Sequence, residues 1–173
     1  NYFGEQRFGI LDDTLQMGLD LLSGRKSPSD IPPARRKFLT RLSLSAVQSA
    51  IFNEVLARRI ESGTLHTVRT GDVLQVRASG GCFVAEDAER EQQRLLAGEL
   101  VPTGPLFGPK LLKARGLGEA EELQCLTDLG LSPDALTAFP KLTPGARRPL
   151  LAWPGDLQLV DDPSGIRLQM TLP

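Results

Sequence analysis

The sequence predicts an α+β (mixed α/β) fold, and three observations carry that prediction. Leu44, Val47, Ile51, Val55 and Leu56 recur at helical spacing, with Phe52 and Ile60 beside them, so one long helix has an apolar stripe to bury. The residues after it, from Thr64 to Val84, are rich in Val, Leu and Thr and are broken by glycine turns, which is strand chemistry. The later chain then returns from short helical segments to strand-like runs near its end. At 173 residues and 40% apolar content, the chain can hold one ordinary domain, or one domain plus flanking pieces of another. It shows no internal repeat.

Taken in order, Asp12 or Asp13 caps a helix that runs to about Leu22, with Leu15, Leu19 and Leu22 on one face. Ser23-Gly24 ends it. Arg25 to Pro33 carries Pro28, Pro32 and Pro33 and reads as a linker. Arg35-Arg36-Lys37 opens a helical region, with Arg41 further on and Phe38, Leu39 and Leu42 forming an apolar side. Ser45 followed by Gln48 is a capping-box pattern that begins or restarts the longest helix, to about Arg59. Arg58 and Arg59 carry the sign favoured at a helix C-terminus, and Gly63 is the stop.

Thr64–Thr70 and Asp72–Ala78 are expected to pair as strands about Gly71, with Cys82–Val84 as a third after the Gly80-Gly81 turn. Asp87 caps a charged helix to Ala97 whose Glu and Arg residues form a solvated face. Glu99–Val101 is a further strand. Pro102–Gly108 is too rich in proline and glycine for regular structure. It is not a phosphate-binding loop, because its spacing is wrong and prolines stand where N–H donors are needed. Glu119–Leu129 is a helix, and Ser132-Pro133 starts a short one to Phe139. Pro140–Pro144 is a second linker. Arg148–Trp153, Asp156–Val160 and Gly165–Leu172 are strands, the last two forming a hairpin.

Composition excludes several classes of function. A net charge of −1 means that any polyanion site must be local. Cys82 and Cys125 lie far apart without metal-ligand spacing, so buried free thiols are expected, with neither a disulfide nor a metal site. The single histidine, His66, suits a surface position better than a catalytic one. No apolar run approaches the roughly 20 residues of a membrane helix, and no signal segment is present, so a soluble, cytosolic protein is expected.

The first nine residues, Asn1-Tyr2-Phe3-Gly4-Glu5-Gln6-Arg7-Phe8-Gly9, follow neither a helical nor a strand period. Glycines allow close approach to a ligand, aromatics offer stacking faces, and Asn, Gln and Arg supply directional hydrogen bonds. This string resembles the signature motif of the TruD family of tRNA pseudouridine synthases. The order that follows is also similar to the family's: SLSAVQSAIFNEVLARRI, TGDVLQ, PTGPLFG, GARRPLLAWP and IRLQMTLP.

The resemblance implies three pieces. Residues 1–28 would belong to the synthase catalytic domain, 29–145 to the TruD insertion domain, and 146–173 to strands returning to the catalytic domain, in the same sheet as the segment around Asn1. It implies isomerisation of a flipped-out uridine in tRNA without cofactor or metal. Phe3 would be the stacking aromatic and Asn1 the residue orienting the catalytic aspartate, with Gln6 and Arg7 supporting the loop or touching RNA. Arg35, Arg36, Lys37, Arg147 and Arg148 flank both insertion boundaries and would bind RNA backbone, as one patch if the boundaries meet. The family's aspartate sits in an upstream GxKD motif, and no Lys-Asp pair occurs here; Asp12, Asp13 and Asp72 lack that setting. This chain is therefore expected to carry binding and supporting parts and to need the remainder of the catalytic domain. The rival classes are an RNA-binding module without catalysis and a purely structural α/β domain.

Overall fold

The computed structural model describes residues 13–152, 155–162 and 165–171. The expectations for Asn1, Phe3, Gln6 and Arg7 therefore lie outside the described residues.

Helix α1 (Asp13–Leu22) packs lengthwise on α2 (Pro33–Glu61). Gly18 permits the contact, since a Cβ there would stand 2.4 Å from the Ser43 carbonyl oxygen and 2.6 Å from a Val47 methyl. The segment between the helices is an ordered turn. Ser27 Oγ accepts from Ser29 N (3.3 Å), and Asp30 Oδ2 accepts from Ser27 N (2.8 Å), capping a 3₁₀ turn over Pro28–Asp30. Ile31 then enters the core at 5% exposure, beside Leu21, Leu22, Leu44, Val47, Ile51 and Val55.

The long helix is continuous, and Ser45 lies inside it. The capping-box reading there is corrected: the helix starts at Pro33, whose fixed φ suits a first helical position and whose missing N–H would have had no intrahelical partner. Its end is as expected. Gly63 adopts φ 68°, its N–H donates to Ile60 O, and Thr64 N donates to Arg59 O, a Schellman closure. The predicted stripe is buried except for Ile60, which is 42% exposed, whereas Arg59 is buried against Asp72.

Four antiparallel strands form a sheet in the order β2-β1-β3-β4: β1 (Val73–Val76), β2 (Cys82–Val84), β3 (Leu100–Leu106) and β4 (Ala146–Pro149). Thr64–Thr70 is not a strand. Its Val68 and Arg69 N–H groups are taken by the side chains of Gln92 and Asp72, so they are not offered to a ladder. The proline-rich stretch is a strand, contrary to expectation. β3 changes partner midway, pairing through Leu100–Pro102 with β1 and through Thr103–Leu106 with β4. With one neighbour at a time, a missing proline donor need not interrupt a ladder. Gly104 lies under Phe52 of α2, where a Cβ would come within 2.8 Å of the ring.

Helix α3 (Ala88–Leu96) is capped by Asp87, which accepts from Arg90 N. Its charges are not all solvated: Glu91 is fully buried, held by Arg90 and Arg94. Helix α4 (Leu117–Asp128) closes the main core with Cys125 and Leu126. After it, a 3₁₀ turn (Ala135–Thr137) replaces the expected short helix. The second expected linker is also ordered, because buried Thr143 Oγ1 donates to the Leu136 and Phe139 carbonyls.

β4 pairs with β3, while β5 (Gly155–Asp162) and β6 (Gly165–Thr171) form a separate ribbon. The expectation that β4 and the hairpin share a sheet is thus not met among the described residues. Leu159 faces Leu168 across the ribbon, and alternation puts Ile166 and Met170 on the same side. All four are exposed. No described helix is long and apolar enough to cross a membrane.

Candidate nucleic-acid interface

Most of the arginines whose contacts are described are already spoken for. Arg25 and Lys26 hold Asp20, Arg58 holds Glu54 and Asp128, and Arg59 holds Asp72. Arg69 pairs with Glu121, and Arg90 and Arg94 pair with Glu91. Asp72, one of the acids weighed for catalysis, is 3% exposed and committed to this network.

The first turns of α2 differ. Arg35, Lys37 and Arg41 are exposed, and their side chains make no hydrogen bond or ion pair among the described residues. Arg36 leans back, donating from Nε to Ile31 O and from Nη2 to Ser29 O, both at 3.2 Å. Phe38, read from sequence as part of an apolar side, is 66% exposed in their midst. Sequence reasoning missed it; the usable signal was its position between cations at 35, 37 and 41.

Arg147 and Arg148 are separated by strand alternation. Arg147 sends Nη1 to Glu122 Oε1 (2.6 Å), Nη2 to Oε2 (3.0 Å) and Nε to Leu112 O (2.6 Å), and its side chain is 1% exposed. Burial nevertheless pushes the Glu122 carboxyl above its usual range, outweighing the pull of Arg147. Arg148 lies on the exposed side, its guanidinium 5.0 Å from the centre of the Phe52 ring. Residue 52 lies 17 positions beyond residue 35 on the same helix, about 25 Å along its axis. The two basic groups therefore do not merge into one patch. The start of α2 and its contact with β4 lie several helical turns apart.

The family profile described as tRNA pseudouridine synthase D (TruD) matches residues 25–173. The chain belongs to the TruD family. A TruD protein of Anaeromyxobacter dehalogenans is 39% identical over 132 residues, covering 76% of this chain and 38% of that protein. One from Thermus thermophilus is 34% identical over the whole chain, which covers 46% of it. A solved Methanosarcina mazei structure, assigned as a tRNA pseudouridine synthase D candidate, superposes with a TM-score of 0.74 over 99% of this chain and 57% of that one; at 21% identity the likeness shows the fold alone. The chain thus spans less than half the length of these two TruD relatives. Its match extends through both basic groups.

Proposed function

We propose that the full-length protein isomerises uridine to pseudouridine in tRNA, and that this chain supplies RNA-binding and supporting parts. The observation that carries the reading is the segregation of charge: on a chain of near-zero net charge, the exposed cations at the start of α2 have no carboxylate partner among the described residues, while most of the other described arginines have one. Phosphate oxygens are the complementary ligand. Arg35, Lys37 and Arg41, with the remaining donors of Arg36, contact RNA backbone, and Phe38 offers a base a flat face. Arg148 makes a separate contact, and Arg147 serves as a brace between β4 and α4.

Asn1 and Phe3 support the reacting uridine, with Gln6 and Arg7 beside them. The nucleophilic aspartate comes from the portion of the relatives' length that this chain does not span. We divide the chain into residues 1–28 and 146–173 of the catalytic domain and an insertion at 29–145, with α1 clasping the insertion through α2. The remainder of the catalytic domain covers the apolar side of the β5–β6 ribbon. The protein acts in the cytosol on its tRNA.

Changing Arg35, Lys37 and Arg41 to Ala in the full-length protein tests the interface. Affinity for tRNA should fall, and the slope of log K against log salt should flatten by roughly 0.7 per lost single-strand phosphate contact. An unchanged slope with a lowered melting temperature would show that these residues hold protein to protein.

A further inference from the structure

The PTGPLFG stretch ends in a tight crossing. Gln48 Nε2 of α2 donates to Phe107 O (2.7 Å), and Lys110 N donates to Pro144 O (2.8 Å). Gly108 passes so close to residues 143–145 that a Cβ would stand 2.1 Å from the Thr143 oxygen. This crossing walls one side of a cavity of ≈ 540 Å³, closed on the other side by α4 and the 3₁₀ turn after it. That volume is in the range of small-molecule sites, roughly 300–1,000 Å³.

Phe107, Leu111, Leu123 and Pro133 give the cavity apolar walls. Its charged lining is mostly acceptor: Glu119, Glu122 and Asp134 contribute carboxylates, and Lys113 is the one cation among the described lining residues. Glu122 is 8% exposed, and its two bonds to Arg147 leave each oxygen a further lone pair. Three carboxylates repel a bare anion, and apolar walls suit a flat heterocycle better than an aliphatic amine. An acceptor-rich wall selects a donor edge. Of the four RNA bases, guanine alone presents two adjacent donors on one edge, N1–H and the N2 amino group, at the spacing a carboxylate accepts.

We propose that this cavity binds one guanine base, with N1–H and N2–H donated to the carboxylates of α4 and the adjoining turn and with Lys113 near the attached phosphate. The base can come from RNA or from a free guanine nucleotide; only the first source rests on the tRNA reading above.

The test is equilibrium binding of GMP, IMP, AMP, CMP and UMP to the full-length protein, with a single-guanosine tetraribonucleotide alongside. GMP should bind saturably, and the other mononucleotides should be weaker by roughly five- to 150-fold, the range one bidentate base contact commands. IMP, which lacks only the N2 amino group, isolates that donor without any mutation. Thr137→Trp, at an exposed lining position, should block GMP, and Glu119→Gln should weaken it should the tryptophan variant fail to fold. Tighter binding of the tetranucleotide than of GMP assigns the base to RNA; the reverse order assigns it to a free nucleotide. Equal affinity for GMP, IMP and UMP, or GMP binding unchanged in both variants, overturns the proposal. Pseudouridine formation assayed in parallel separates the two readings. Loss of guanine selectivity with turnover intact sinks only the cavity, and absent turnover with guanine selectivity intact sinks only the tRNA reading.

Discussion

Arg147→Met removes one half of a buried ion pair. The side chain is 1% exposed, and its partner Glu122 is 8% exposed as a residue. Methionine keeps much of the volume and removes the charge, leaving Glu122 buried without its fork of donors. Breaking such a pair costs about 3–5 kcal/mol, most of it the desolvation of the charge left behind. The loss should depend on pH in a definite direction. Burial already raises the Glu122 carboxyl above its ordinary value. Without Arg147 it rises further, so the folded protein holds that proton more tightly than the unfolded chain does. Stability of the variant therefore recovers as pH falls through the folded-state value toward the ordinary carboxylate range. Urea unfolding at pH 7 and pH 5 measures both effects, and Glu122→Leu combined with Arg147→Met should regain most of the loss because no charge remains. A deficit under about 1 kcal/mol that is equal at both pH values, together with a flatter salt dependence of tRNA binding, would refute the brace and return Arg147 to the RNA contacts.

Three other outcomes follow. Gly104→Ala should destabilise by about 1–3 kcal/mol in thermal unfolding, because the added methyl meets the Phe52 ring and Leu150 in a packed layer. Lys26, Gln16 and Arg25 hold the Asp20 carboxyl down to about 2, from an ordinary 3.8; its contribution is present above the ordinary value and fades as pH falls toward 2, so Asp20→Asn should flatten the acid limb of the stability curve. Phe3→Ala in the full-length protein should lower turnover more than tRNA binding, since one stacked base is a small part of the contact; equal losses in both would place Phe3 among general RNA contacts.

Helix stripes and stops were legible because they depend on local spacing. The burial of Leu44, Val47, Ile51, Val55 and Leu56 and the left-handed Gly63 follow from period and from glycine's freedom at φ 68°. The Asp87 cap is local too. What was not legible depends on partners distant in sequence. β3 accommodates two prolines because β1 and β4 divide its length between them, which no property of the stretch itself announces. Thr64–Thr70 has strand-forming residues, but Gln92, 24 positions past Val68, takes one of its donors. Glu91 belongs to a charged helix, yet it is buried because Arg90 and Arg94 pair with its carboxylate and cover it from the solvent side. Among the site residues, Arg35 and Lys37 are exposed, and their contact with RNA is the proposal made above. The commitment of Arg147 to Glu122, 25 positions away, could be seen only in three dimensions.

The most direct measurement is to map pseudouridine in tRNA incubated with the full-length protein and, separately, with residues 1–173 alone. The account predicts conversion by the full-length protein and none by this chain, because the roles proposed for Asn1 and Phe3 depend on an aspartate outside it. Turnover by residues 1–173 alone would show that the catalytic acid lies within them, and absence of turnover by the full-length protein would contradict the assignment of its chemistry.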